Sequence, residues 1–152
     1  MNKRQSMYTK LSVGVPLALL LAAPLTVFAG DMVKGETEQG YRFMSGGAGI
    51  EERNEMMQQA SQYDLALIFA APSGDYLSDV GVVITDGRGK EVVNTTTTGP
   101  LFYAQLPSGR YNIKATYDGQ SKEIKGMQVS DGRRVSQLFH WNVPDERLTE
   151  LR

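Results

Sequence analysis

The chain offers few side chains able to do chemistry. Among 152 residues there is one histidine and no cysteine. That excludes a disulfide scaffold, a thiolate nucleophile, a Cys-ligated zinc site and a lipid-anchored cysteine. It leaves little for a multi-histidine metal centre. The histidine, His140, stands in Leu138-Phe-His-Trp141, with Ser136 two residues before it. In an extended segment these two share a face. A hydrolase needs a nucleophile held against the imidazole and an acid behind it. No nucleophile-elbow pattern surrounds Ser136. The candidate acids, Asp64, Asp75, Asp79, Asp86 and Asp118, fall mostly at segment ends and turns, where Asp is favoured for local hydrogen bonds. No loop carries the oxygen series that calcium requires. The residues imply no catalytic set, no metal and no cofactor, with a hydrolase using His140 kept as the lesser alternative.

Binding is better provided for. Phe102, Tyr103, Tyr111, Tyr117, Phe139 and Trp141 all lie in segments that read as strands. Such rings build stacking surfaces for sugars and peptides, or else the core. Phe102, Tyr111, Tyr117, Phe139 and Trp141 are assigned to the core. Tyr103 is out of phase with Phe102 and is assigned to the surface. Tyr103, His140 and Arg134, the second residue of a small basic pair, are the ligand-binding candidates. The partner they imply is an envelope protein or a glycan. Nucleic acid is excluded: 16 Lys+Arg against 17 Asp+Glu gives no basic footprint.

These side chains must be positioned by elements further along the chain than its first thirty residues. Lys3, Arg4 and Lys10 precede an apolar run from Leu11 to Phe28. Val27 and Ala29 suit the cleavage positions, so residues 1–29 read as a secretory signal peptide cut between Ala29 and Gly30. Cleavage removes three basic groups and no acid, taking the formal charge from −1 to −4. The expected location is periplasmic or secreted, and nothing else is apolar enough to span a membrane. Residues 30–40 are polar and Gly-rich and read as a flexible arm. Residues 41–62 form a loop and helix, the helix over 49–62. Glu51, Glu52 and Glu55 sit near its start, where acids favour the positive end of the helix dipole. Ile50, Met57 and Ala60/Ser61 make its thin apolar stripe.

From residue 64 the apolar period changes to two, over 64–70, 79–85, 90–98, 101–106, 110–117, 121–129 and 133–142. Turn residues separate these segments, as at Asp118-Gly119. The domain is bounded at 63–143, with 144–152 as a tail. Two irregularities stand out. Residues 65–70 are apolar on both faces, which calls for a second cover, here the helix with Tyr41 and Phe43. In 121–129 the apolar phase slips across Gly126, which calls for a bulge there.

The stretch Leu106-Pro-Ser-Gly-Arg-Tyr-Asn-Ile-Lys-Ala-Thr-Tyr-Asp-Gly119 resembles carboxypeptidase regulatory-like domains, which are similar to transthyretin-like and Cna-B-type sandwiches. Asp79-Val-Gly-Val-Val-Ile-Thr-Asp-Gly-Arg-Gly-Lys90 resembles the hairpin before it. The resemblance covers about residues 64–142. It implies a Greek-key-like (prealbumin-like) sandwich, which with the seven strand segments and the helix over 49–62 makes an all-β, seven-stranded fold with one short N-terminal helix packed on a sheet. It implies little about function, because such folds host many roles. Transthyretin-like hydrolases carry several histidines and a Tyr-Arg-Gly-Ser tail; this chain has one histidine and ends Leu-Thr-Glu-Leu-Arg152. The first-strand lysine of an isopeptide bond is absent from 64–70. The reading is a non-catalytic exported module with a binding or structural role at the cell envelope; the first alternative is a carbohydrate- or peptide-binding module.

Overall fold

The computed structural model describes residues 31–144 and Arg147. The signal-peptide reading of 1–29 and most of the 144–152 tail lie outside them. Two sheets face each other. One, of five strands, has the order β1 (Val33–Glu36), β2 (Arg42–Gly46), β6 (Leu101–Ala104), β3 (Leu65–Ala70), β9 (Val135–His140). The other, of four, has the order β5 (Glu91–Thr96), β4 (Gly81–Asp86), β7 (Gly109–Tyr117), β8 (Gln120–Val129). Every pairing is antiparallel except that of β3 with β9. One helix, α1 (Ile50–Gln59), ends in a 3-10 turn over Ala60–Gln62.

The strands expected from residue 64 onward correspond to β3–β9. Two more precede them, so the described residues form nine strands and not seven. The segment expected as an arm contains β1, and the loop expected at the start of 41–62 contains β2, which runs to Gly46. Both are short: β1 is a polar edge strand, and β2, paired on both sides, has only Phe43 and Met44 as large apolar residues, too few to show the alternation that marks a strand in a sequence.

The two-sided apolar pattern of β3 is realised. Leu65, Leu67 and Phe69 enter the core between the sheets, with Ile84, Ile113, Phe102, Phe139 and Trp141. On the opposite face Ala66 joins a second cluster with Met44, Met56, Ala60, Tyr63, Leu101 and Tyr103. The helix supplies this cover, but with a different stripe from the one expected. Met56 is fully buried, whereas Ile50 is 73% exposed and Met57 62%. Tyr41 and Phe43 are not part of the cover either. They pack against the core between the sheets, Phe43 stacked on Phe102 at 5.7 Å, and Met44 takes the outer side.

The slip in β8 is a bulge at Gly126. Tyr111 pairs with Met127 and Ile113 with Ile124, so two residues of β8 oppose Asn112. Gly126 adopts φ +67, and its N–H donates to Asn112 Oδ1 at 2.9 Å. The Asp118-Gly119 hairpin has positive φ at both residues, as its turn type requires. At the top of the helix layer two backbones nearly touch: a Cβ on Gly99 would lie 2.3 Å from the Gly46 carbonyl oxygen. Beside them Ser45 is buried but satisfied, its Oγ accepting from Thr98 N–H.

Candidate functional site

Tyr103 is not a surface ring. Strand β6 lies between β2 and β3, and all four of its residues are buried. Tyr103 pairs with Met44 on one side and Ala66 on the other, and Tyr63 leans over it at 6.1 Å between ring centroids. Its alternation with Phe102 was read correctly: the two rings do point to opposite faces. The outer face, however, is roofed by the helix layer. Burial holds the Tyr103 phenol above its ordinary pKa, and the Arg134 charge opposes that rise. The guanidinium carbon of Arg134 stands 6.0 Å from the ring centroid. The two residues are therefore brought together, as a cation at the rim of a buried ring.

His140 lies elsewhere. It ends β9, six residues from Arg134, or about 20 Å along an extended chain. Its register partner is Ala70, and it is exposed. Phe139 and Trp141 point the other way and are buried. Ser136 and Leu138 share the outer face with His140, and Leu138 is 50% exposed. A shallow groove beside them is lined by Lys122, Glu123 and Ile124 of β8 and by Gln137, Leu138 and His140 of β9. Just past the end of β9, Trp141 Nε1–H donates to Gln120 O of β8 at 3.0 Å. The groove's carboxylate, Glu123, lies 3.7 Å from Lys125 Nζ. Among the described residues no group of three acids and histidines is spaced to hold a metal ion.

A feature absent from the residue-type reading is the strand edge. Each sheet ends in two edge strands, whose outer N–H and C=O groups are open to pairing. Three of the four carry charges: Lys34 and Glu36 on β1, Glu91 on β5, Lys122, Glu123 and Lys125 on β8. Strands β5 and β8 are also bulged or irregular in register. Strand β9, Val-Ser-Gln-Leu-Phe-His, carries no Lys, Arg, Asp or Glu. Its pairing with β3 is regular over six residues. The composition of this segment was visible in the sequence, but its edge position was not.

A second missed feature is the rim of the helix layer. Arg53 donates from Nε and Nη2 to Gly47 O, each at 3.2 Å, and stacks over Tyr76 with its guanidinium carbon 4.5 Å from the ring centroid. Next to Arg53, Glu52 presents Oε1, buried and without a hydrogen-bond partner, against Gly46.

Compared with known proteins, the chain matches no family model, and no curated protein matches it.

Proposed function

We propose that the protein is an exported, non-catalytic β-sandwich module that works at the cell envelope by taking up extended polypeptide along the open edge of β9. The observation that carries this reading is the edge itself. It is regular, six residues long and free of the charges that blunt the other three edges. Strand addition uses main-chain hydrogen bonds for affinity and alternate side-chain contacts for selection. The groove beside β9 supplies those contacts, with Ile124 and Leu138 apolar and Lys122, Glu123 and His140 polar.

The chain segment around Leu106–Gly119 and the parallel β3–β9 pair favour a Greek-key-like, prealbumin-like arrangement related to carboxypeptidase regulatory-like domains. Export rests on the Sec-type pattern of residues 1–29, which leads to the periplasm or the exterior. The carbohydrate alternative loses its principal ring, since Tyr103 is 7% exposed. The hydrolase alternative gains no support from Glu123, which is engaged with Lys125.

The test is photo-cross-linking in intact cells, with the reactive residue placed at position 138 or, for comparison, at position 76. The proposal expects an adduct from 138 that Ser136→Pro abolishes, and none of that dependence from 76. No adduct from 138, or one indifferent to Ser136→Pro, would overturn it.

A further inference from the structure

The geometry points to a specific occupant of the β9 edge: the β9 edge of a second copy of this chain, running antiparallel about a two-fold axis at Leu138. This rests on the strand-addition reading above and names its partner. The hydrogen-bonding parity of β9 comes first. Val135 N–H donates to Asp64 O at 2.8 Å and Trp141 N–H to Ala70 O at 3.2 Å, both toward β3. Main-chain groups alternate sides along a strand, so those of Ser136, Leu138 and His140 face the open edge.

A symmetric pair requires the same patch on both partners. An antiparallel register centred on Leu138 places Leu138 against its own copy, Ser136 against the copy's His140, and His140 against the copy's Ser136. All three residues then exchange their outward N–H and C=O groups, with Leu138 O, which within the chain accepts from Gln137 Nε2 at 2.9 Å, using its second lone pair for the seam. Centres at neighbouring residues leave one of the three unmatched or set Leu138 against a polar residue. The chosen register covers the half-exposed Leu138 with an identical apolar side chain. It also sets a hydroxyl opposite each imidazole, so no charge meets a like charge. None of the other edges is self-complementary to this degree. An antiparallel copy of β8 would carry three charged side chains into the seam, and β1 would carry two.

The result is a continuous sheet running through both molecules, with both helices on one face. That places the two grooves side by side at the seam, each flanked by its own β8.

The first experiment is sedimentation velocity on the purified protein, made from the full reading frame, over a rising concentration series. The boundary should move from one chain to two. Ser136→Pro removes an edge donor without touching the β3 ladder, and Leu138→Lys puts a charge on the axis. Each should weaken association by about tenfold or more, with thermal unfolding of the single chain little changed. The second uses the absence of native cysteine. In a hydrogen-bonded antiparallel pair facing Cα atoms are about 5.5 Å apart, inside the about 4.4–6.8 Å range of disulfides. Leu138→Cys should therefore oxidise to a covalent dimer, while Gln128→Cys, exposed on β8, should not. A single-chain boundary at every concentration, with no preferential cross-link through Leu138→Cys, overturns the self-pairing. Should the cellular adduct from position 138 then persist at a mass other than two chains, the β9 edge keeps its role and only the second copy falls. Loss of that adduct as well removes both.

Discussion

Tyr103 shows what alternation can decide and what it cannot. A period of two states that Phe102 and Tyr103 face opposite ways. It does not state that both sides are covered, and in a central strand both are. Two consequences can be measured. Burial raises the pKa of Tyr103, and also of Tyr111 and Tyr117. Phenols in the unfolded chain ionise near about 10. The folded state thus holds more protons above that pH, and stability falls as pH rises through it. Alkaline melts should show this loss, and Tyr103→Phe should lessen it. Arg134 opposes the rise at Tyr103, so Arg134→Gln should move that phenol's titration to still higher pH in an ultraviolet difference titration. No change would mean that the guanidinium does not face the ring. His140 was legible as an outward residue because Phe139 and Trp141 on either side of it are strongly apolar. That it ends an unpaired edge was not legible, because edge position is a property of strand order.

The helix carries the same lesson one level up. Two-sided apolarity in residues 65–70 correctly called for a cover, and the 49–62 segment was the available element. Which of its faces makes contact does not follow from the sequence, because Ile50 and Met57 are as apolar as Met56. The choice is made by the surface below: Met44, Ala66, Leu101 and Tyr103 form a patch that Met56 and Ala60 meet together. Met56→Ala should therefore cost about 2–5 kcal/mol, as for buried methionines generally. Ile50→Ser and Met57→Ser should stay within about 0.5 kcal/mol each. Denaturant titration of the three variants decides this; equal costs would contradict the assigned face. The bulge in β8 was legible, because Ile124 and Met127 fall three apart across a glycine. Nothing crowds Gly126, so Gly126→Ala carries only the left-handed backbone cost, about 1–2 kcal/mol. Strands β1 and β2 were missed for the opposite reason. They are only four and five residues long with little apolar alternation, and their strand character comes from pairing, β2 with β6 and β1 with β2, and not from their own pattern.

For the molecule as a whole, the lack of cysteine means that no disulfide helps to hold the domain, and its packing and sheet hydrogen bonds must do so. Two apolar clusters on the two faces of one strand supply the packing. The cost of building a sheet this way is four open edges, and three of them are blunted by charge. The fourth, β9, is the part of the surface that the fold leaves ready for another strand. The measurement that tests this most directly is residue-resolved amide hydrogen exchange across β9 as protein concentration rises. The N–H groups of Val135 and Trp141, bonded to β3, should be protected at every concentration. Those of Ser136, Leu138 and His140 should exchange freely when dilute and become protected together when concentrated. Even-numbered amides that exchange freely at all concentrations, or protection that ignores this parity, would contradict a second β9 on the open edge.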